Sequence, residues 1–129
     1  MNTRVTGAPL VLLVVAGISG TAEQGQPLAG YRCMMLNLTE KQSLDPSVHV
    51  PVRAELSKSA PPVGWAGAVV IVREPVTPVN GFVQMLLPDG RQVWIAFDKV
   101  RAYNSLGDPN AQCAPEILPN GRIGFATHR

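Results

Sequence analysis

Short apolar runs alternate with clusters of Pro, Gly, Asn and Asp along this chain, and that punctuation predicts short strands joined by tight turns. Val48, Val50 and Val52 recur at every second position, so residues 48–54 predict a strand with one buried face. His49 falls on the opposite, exposed face, where it reads as a plain surface histidine. Pro51 lacks an amide donor, which places this strand at a sheet edge or at a bulge. Val69-Val70-Ile71-Val72 is β-branched throughout and predicts a further strand. Phe82 to Leu87 and Arg91 to Ala96 flank Pro88-Asp89-Gly90, a hairpin signal because Gly accepts the positive φ of a tight turn. Pro119-Asn120-Gly121 predicts a second hairpin, between Glu116-Ile117-Leu118 and Arg122-Ile123-Gly124-Phe125. Tyr31 to Leu36 predicts a short strand, residues 37–47 a loop, Pro75 to Asn80 a turn region and Asp98-Lys99-Val100 a single helical turn. The pattern beyond residue 22 contains no long helix and no internal repeat. It predicts an all-β chain folded as a small barrel or sandwich.

The first 22 residues read differently. Arg4 supplies a positive start, Val5 to Ala22 carries no charge, and Gly17, Ser19, Gly20, Thr21 and Ala22 form a small-residue exit. These are the three parts of a secretory signal peptide, with cleavage before Glu23. The uncharged run also reaches the lower length limit for a membrane span, so an uncleaved anchor is the alternative. The expected organisation is a signal helix over 1–22, an N-terminal extension over 23–47, a central domain over 48–103 and a C-terminal extension with its hairpin over 104–129.

Composition narrows the function classes. Hydrophobic residues make up 46% and charged residues 16%, too apolar for a disordered chain. Eleven Lys and Arg against nine Asp and Glu give a net charge of +2, too even for an electrostatic nucleic-acid binder. Cys33 and Cys113 are the two cysteines, and in an exported chain an isolated pair reads most simply as a disulfide. Closing residues 33–113 into one loop contributes about 4 kcal/mol in the chain-entropy account. A Cys33 nucleophile with His49 or His128 as base lacks any local signature. The cysteines and histidines also lack the close spacing of a zinc site. Asn37-Leu38-Thr39 matches a glycosylation sequon, a tripeptide common by chance.

Residues 48–103 resemble the exported, bacterial kind of Src-homology-3-like (SH3-like) domain. Val52-Arg53-Ala54-Glu55 opens the match, followed by the small-residue loop Ser57-Lys58-Ser59-Ala60-Pro61-Pro62-Val63-Gly64. Gly67 then precedes the β-branched strand, Gly81-Phe82 starts the next, Asp89-Gly90 makes the hairpin, and Val93-Trp94-Ile95 with Val100 to Tyr103 closes the pattern. Two positions depart from the family, which usually carries Trp where Phe82 stands and Gly where Val93 stands. Both help shape the family's ligand groove. The resemblance implies a small SH3-like barrel with N- and C-terminal extensions, and a binding rather than a catalytic role.

No catalytic residue, metal ligand or cofactor pattern can be assembled from the sequence. The binding expectation rests on aromatics, and the resemblance points to Trp65, Phe82, Trp94 and Tyr103 as ligand-binding residues. Trp65 stands out because Gly64, Ala66 and Gly67 flank it. Phe82 and Trp94 fit a plain core role equally. The expected function is an exported, periplasmic or secreted, non-catalytic module for a cell-wall peptide or an extended segment of an envelope protein. It takes no nucleic acid and, once cleaved, makes no stable membrane insertion. The alternative is a structural accessory subunit of an envelope or membrane complex, anchored by an uncleaved N-terminal helix.

Overall fold

A computed structural model describes residues 25–105 and 107–128, so the expected signal segment lies outside the described residues. In chain order the strands are β1 (Gln26–Pro27), β2 (Tyr31–Leu36), β3 (Pro51–Arg53), β4 (Pro62–Trp65), β5 (Val69–Arg73), β6 (Phe82–Leu86), β7 (Gln92–Ala96), β8 (Val100–Ala102), β9 (Gln112–Ile117) and β10 (Ile123–His128). One α-helical turn, α1 (Glu40–Ser43), and a 3-10 turn over Phe97–Lys99 complete the described elements. The described residues are mostly β, in line with the all-β expectation from the punctuation.

The strands form two sheets. The larger has seven strands in the order β4-β3-β7-β6-β5-β2-β8, and the smaller has the order β10-β9-β1. Every pairing is antiparallel. The large sheet ends in the unpaired edges β4 and β8, so it does not close into a barrel by hydrogen bonding.

Strand alternation divides the large sheet into two faces. Met34, Val50, Val52, Val70, Val72, Val83, Met85, Val93, Ile95 and Val100 share one face and form a single buried cluster with Leu87. Among the described residues only Leu36, Leu38, Ala66 and Val76 are added to it as partly buried partners, so no second layer of described residues covers this face. The sheet therefore coils onto itself, which short, strongly twisted β-branched strands permit. Val52, Val72 and Ile95 are fully buried at its centre.

The other face carries Cys33, Ile71 and Leu86 in one row, since Ile71 pairs with both Cys33 and Leu86. All three are buried, although none belongs to the main cluster. The small sheet lies over them, joined by the Cys33–Cys113 disulfide with its Cα atoms 6.0 Å apart. None of the described residues in β1, β9 or β10 is buried. A sheet with so little interior of its own depends on attachment to a larger one. The bridge spans a sequence separation of 80, ties β2 to β9, and agrees with an oxidising, extracytoplasmic compartment.

The two long hairpins share one five-residue pattern, a repeat far shorter than a domain. Leu87-Pro88-Asp89-Gly90-Arg91 and Leu118-Pro119-Asn120-Gly121-Arg122 fold alike. In each, the Gly N–H donates to the Leu carbonyl and the Leu N–H donates to the Arg carbonyl. Asp89 and Asn120 each accept from the following Arg N–H through a side-chain oxygen at 3.0 Å. Gly90 and Gly121 sit at φ 90° and 85°, the left-handed region that this turn requires. The tips abut, because the Ile123 N–H donates to the Pro88 carbonyl at 2.8 Å.

Several local expectations are refined. Residues 37–47 are not wholly loop. Thr39 and Gln42 form a reciprocal capping box around α1, with the Gln42 N–H donating to Thr39 Oγ1 and the Thr39 N–H to Gln42 Oε1. Tyr31 to Leu36, expected within an extension, forms β2 between β5 and β8 of the large sheet. Pro51 stands in a strand paired on both sides, and the register shifts between Val52 and Arg53. The Pro75–Asn80 turn region ends in a tight hairpin turn, with Asn80 at φ 52° and Gly81 at φ 82° between the mutually bonded Val79 and Phe82. Phe82 itself is buried, with 3% of its surface exposed.

Three outcomes follow for stability. Ile95→Ala opens a cavity at the centre of the cluster, and urea unfolding should show a loss of about 2–5 kcal/mol. The double substitution Cys33→Ser and Cys113→Ser should cost about 4 kcal/mol in the same assay. Hydrogen bonds from the Arg91 backbone and side chain, with the Arg122 charge nearby, hold the Asp89 carboxyl below the usual carboxylate value. Its contribution is present above that usual value and is lost as pH falls through the lower folded value. Asp89→Asn should flatten that acid limb of the stability profile, and an NMR titration of Asp89 should place its midpoint below that of an ordinary aspartate.

Candidate functional site

Trp65 ends the edge strand β4 and is 56% exposed, more than any Phe or Tyr among the described residues. The pairing of Trp65 with Pro51 and of Gly64 with Val52 fixes its orientation. Gly64 faces inward, where a Cβ would lie 3.7 Å from the Val52 side chain, so Trp65 points outward. The Ala66 N–H then donates to the Val50 carbonyl at 2.8 Å and holds the chain beyond the ring against β3. His49 lies on the same outward face as Pro51, and its ring stacks on the indole with centroids 5.1 Å apart and planes inclined by 26°. The stack fixes the rotamer of an exposed tryptophan that would otherwise lose side-chain freedom on binding.

Beside Trp65 runs an apolar groove of 170 Å³ between the large sheet and the small one. Val69, Ile71 and Leu86 contribute from the large sheet, Pro88 from the first hairpin, and Ile123 and Phe125 from β10. Phe125 is 41% exposed. The groove thus has an aromatic ring from each sheet, and its position depends on the disulfide and on the Ile123–Pro88 hydrogen bond that hold the sheets together.

Main-chain groups also lie along the β10 edge that borders this groove. The Leu118-to-Arg122 hydrogen bond sets the phase of the β9–β10 ladder. Gly124, Ala126 and His128 therefore bond inward to β9, while Ile123, Phe125 and Thr127 present N–H and C=O on the outer side of β10. Pro88 takes the Ile123 N–H, and β10 pairs with β9 alone among the strands. An extended chain laid along this edge meets hydrogen-bonding groups on one side and apolar side chains below.

The structure separates the four aromatics that the resemblance grouped. Trp65 lines the groove, and Phe82 is buried outside the main cluster. Trp94 lies half-buried in another depression of 240 Å³, with Arg73 and Gln84. Tyr103 lines a third, of 590 Å³, with Asp108, Thr127 and His128. His49 and Phe125 enter the site although neither was among the four ligand-binding residues expected from the sequence. The spacing of Phe125 from Ile123, two residues on one strand face, is a signal for Phe125. No local signal marks His49, because its partner is set by cross-strand register.

The disulfide consumes both thiols, so neither cysteine is a nucleophile in this structure. Comparison of the chain with models of protein families, with curated proteins and with solved structures gives no match.

Proposed function

We propose that the protein is an exported, non-catalytic binding module that takes an extended peptide in the groove between Trp65 and Phe125. The exposed Trp65, preset by its stack on His49 beside a free strand edge, carries this reading. A peptide in that position adds a short strand to β10 through the groups at Phe125 and Thr127. Its apolar side chains then meet Val69, Ile71 and Pro88. Rings of Trp and Phe supply large contact area at small entropic cost, as binding anchors do.

The SH3-like architecture belongs to this proposal. In its favour are the order β3 to β8, the Asp89-Gly90 hairpin, and a 3-10 turn at Phe97–Lys99 before the last strand. In this chain β2 joins that arrangement between β5 and β8, and the small sheet is added on the outer face. The groove between the sheets is therefore a feature of the whole chain rather than of residues 48–103 alone. The ligand class is a cell-wall peptide or an extended segment of an envelope protein. The disulfide supports action in the periplasm or outside the cell.

Binding of the protein to purified peptidoglycan, followed by sedimentation, tests the reading. Wild type is expected in the pellet, and Trp65→Ala should bind at least 10-fold more weakly, since a central aromatic anchor contributes about 2 kcal/mol or more. An unchanged thermal transition for the variant separates this loss from unfolding. Equal retention of both proteins rejects the Trp65 groove. Retention of neither moves the ligand to an envelope protein, to be captured by crosslinking.

A further inference from the structure

We propose a second binding site, for an acidic polysaccharide, on the outward face of the large sheet, in the row of residues next to the one that lines the groove. Cross-strand register lines up Tyr31, Arg73, Gln84, Trp94 and Arg53 in one row across β2, β5, β6, β7 and β3. Tyr31 pairs with Arg73, Gln84 with Trp94, and Trp94 with Arg53. The Val72–Met85 pairing sets Arg73 opposite Gln84, and Arg73 Nη1 donates to Gln84 Oε1 at 3.4 Å. Directly opposed residues of an antiparallel pair project from the same face, so all five side chains share it. None of them is buried.

The chemistry of the row selects the ligand. In mid-sheet the main-chain groups are committed to the ladder, so recognition falls to side chains, unlike at the edge of β10. The row combines two aromatic rings with three groups that bond to oxygen. Trp94 and Tyr31 offer flat apolar faces for the C–H face of a sugar ring. Gln84 offers an amide, held by a 3.0 Å hydrogen bond to Gln92, for hydroxyl groups.

Charge settles the acidic class. Ion pairs among the described residues join Arg32 to Glu74 and Arg91 to Asp89, and neither Arg53 nor Arg73 takes part in one. Arg53 bonds only to the Ala60 carbonyl, at 2.9 Å. Glu74 lines the same depression as Trp94, but its carboxylate is held by Arg32 at 2.8 Å. Two guanidinium groups with no carboxylate partner therefore stand three strand steps apart, about 14 Å at the usual strand spacing. That span exceeds one ring and suits carboxylates on separate sugars of a linear chain, each able to make a bidentate pair with Arg. A nucleic acid would bring a phosphate at every step, which two arginines in a protein of net charge +2 do not match.

Affinity electrophoresis of the intact, disulfide-bonded protein in gels containing polygalacturonate tests the site. Neutral cellulose oligomers and oligo-dT serve as competitors. Wild type is expected to be retarded, with at least 10-fold weaker binding for Arg73→Gln and for Trp94→Leu, and no change for Trp65→Ala. Chemical-shift changes on titration should include the Trp94 indole N–H. Arg73 is exposed, so Arg73→Gln decides the matter even where Trp94→Leu fails to fold. Absence of retardation overturns the proposal, as does retardation unchanged in Arg73→Gln. Displacement by the neutral oligomer or by oligo-dT as effective as by free polygalacturonate overturns the acidic-glycan class. Because Trp65→Ala reads the groove and Arg73→Gln reads the row, either site can fail without the other.

Discussion

The Cys33–Cys113 bridge is the constraint on which the arrangement of this molecule turns. The small sheet buries none of its described residues, so burial of its own side chains supplies little of its stability. Its attachment comes from the bridge to β2, from the Ile123–Pro88 hydrogen bond and from the side chains over Ile71 and Leu86. A cross-link of this length acts on the unfolded chain, whose ends it brings together before any contact forms. It also fixes where Phe125 stands relative to Trp65, because β9 and β10 are one hairpin. Stability and the shape of the groove thus rest on the same covalent bond.

The large sheet assigns separate tasks to its two faces. One face coils around Val52, Val72, Val83 and Ile95 and supplies the apolar burial that stabilises the domain. The other is free of that duty and presents three surfaces. Cys33, Ile71 and Leu86 receive the small sheet, Trp65 borders the groove, and the row from Tyr31 to Arg53 stays open. Alternation along each strand keeps the tasks apart, so a substitution at the exposed Arg73 leaves the interior untouched.

Tight turns give the surfaces their precision. The two Leu-Pro-Asx-Gly-Arg hairpins place a proline carbonyl against an amide of the neighbouring hairpin, which closes one end of the groove. The capping box at Thr39 and Gln42 holds α1 beside a wider depression lined by Leu38, Val48 and Ala66. Each device is local in sequence, yet each sets the position of a strand edge or a wall contributed by a distant segment.

The sequence by itself determined the strands and turns. The Val48-Val50-Val52 alternation, the β-branched run at 69–72, and the glycines at 90 and 121 act within a few residues, where pattern and backbone preference decide the outcome. The pairing of the two cysteines was legible for a similar reason, since only one intrachain pairing exists. Tertiary structure decided the rest. Whether Phe82 was buried, whether Tyr31 to Leu36 stood inside the large sheet, and which ring met Trp65 all depend on strand order and register. Those are set by contacts between residues far apart in the chain, and a shift of one residue exchanges the two faces of a strand. His49 and Phe125 joined the site for this reason, while Trp94 and Tyr103 were carried to other surfaces.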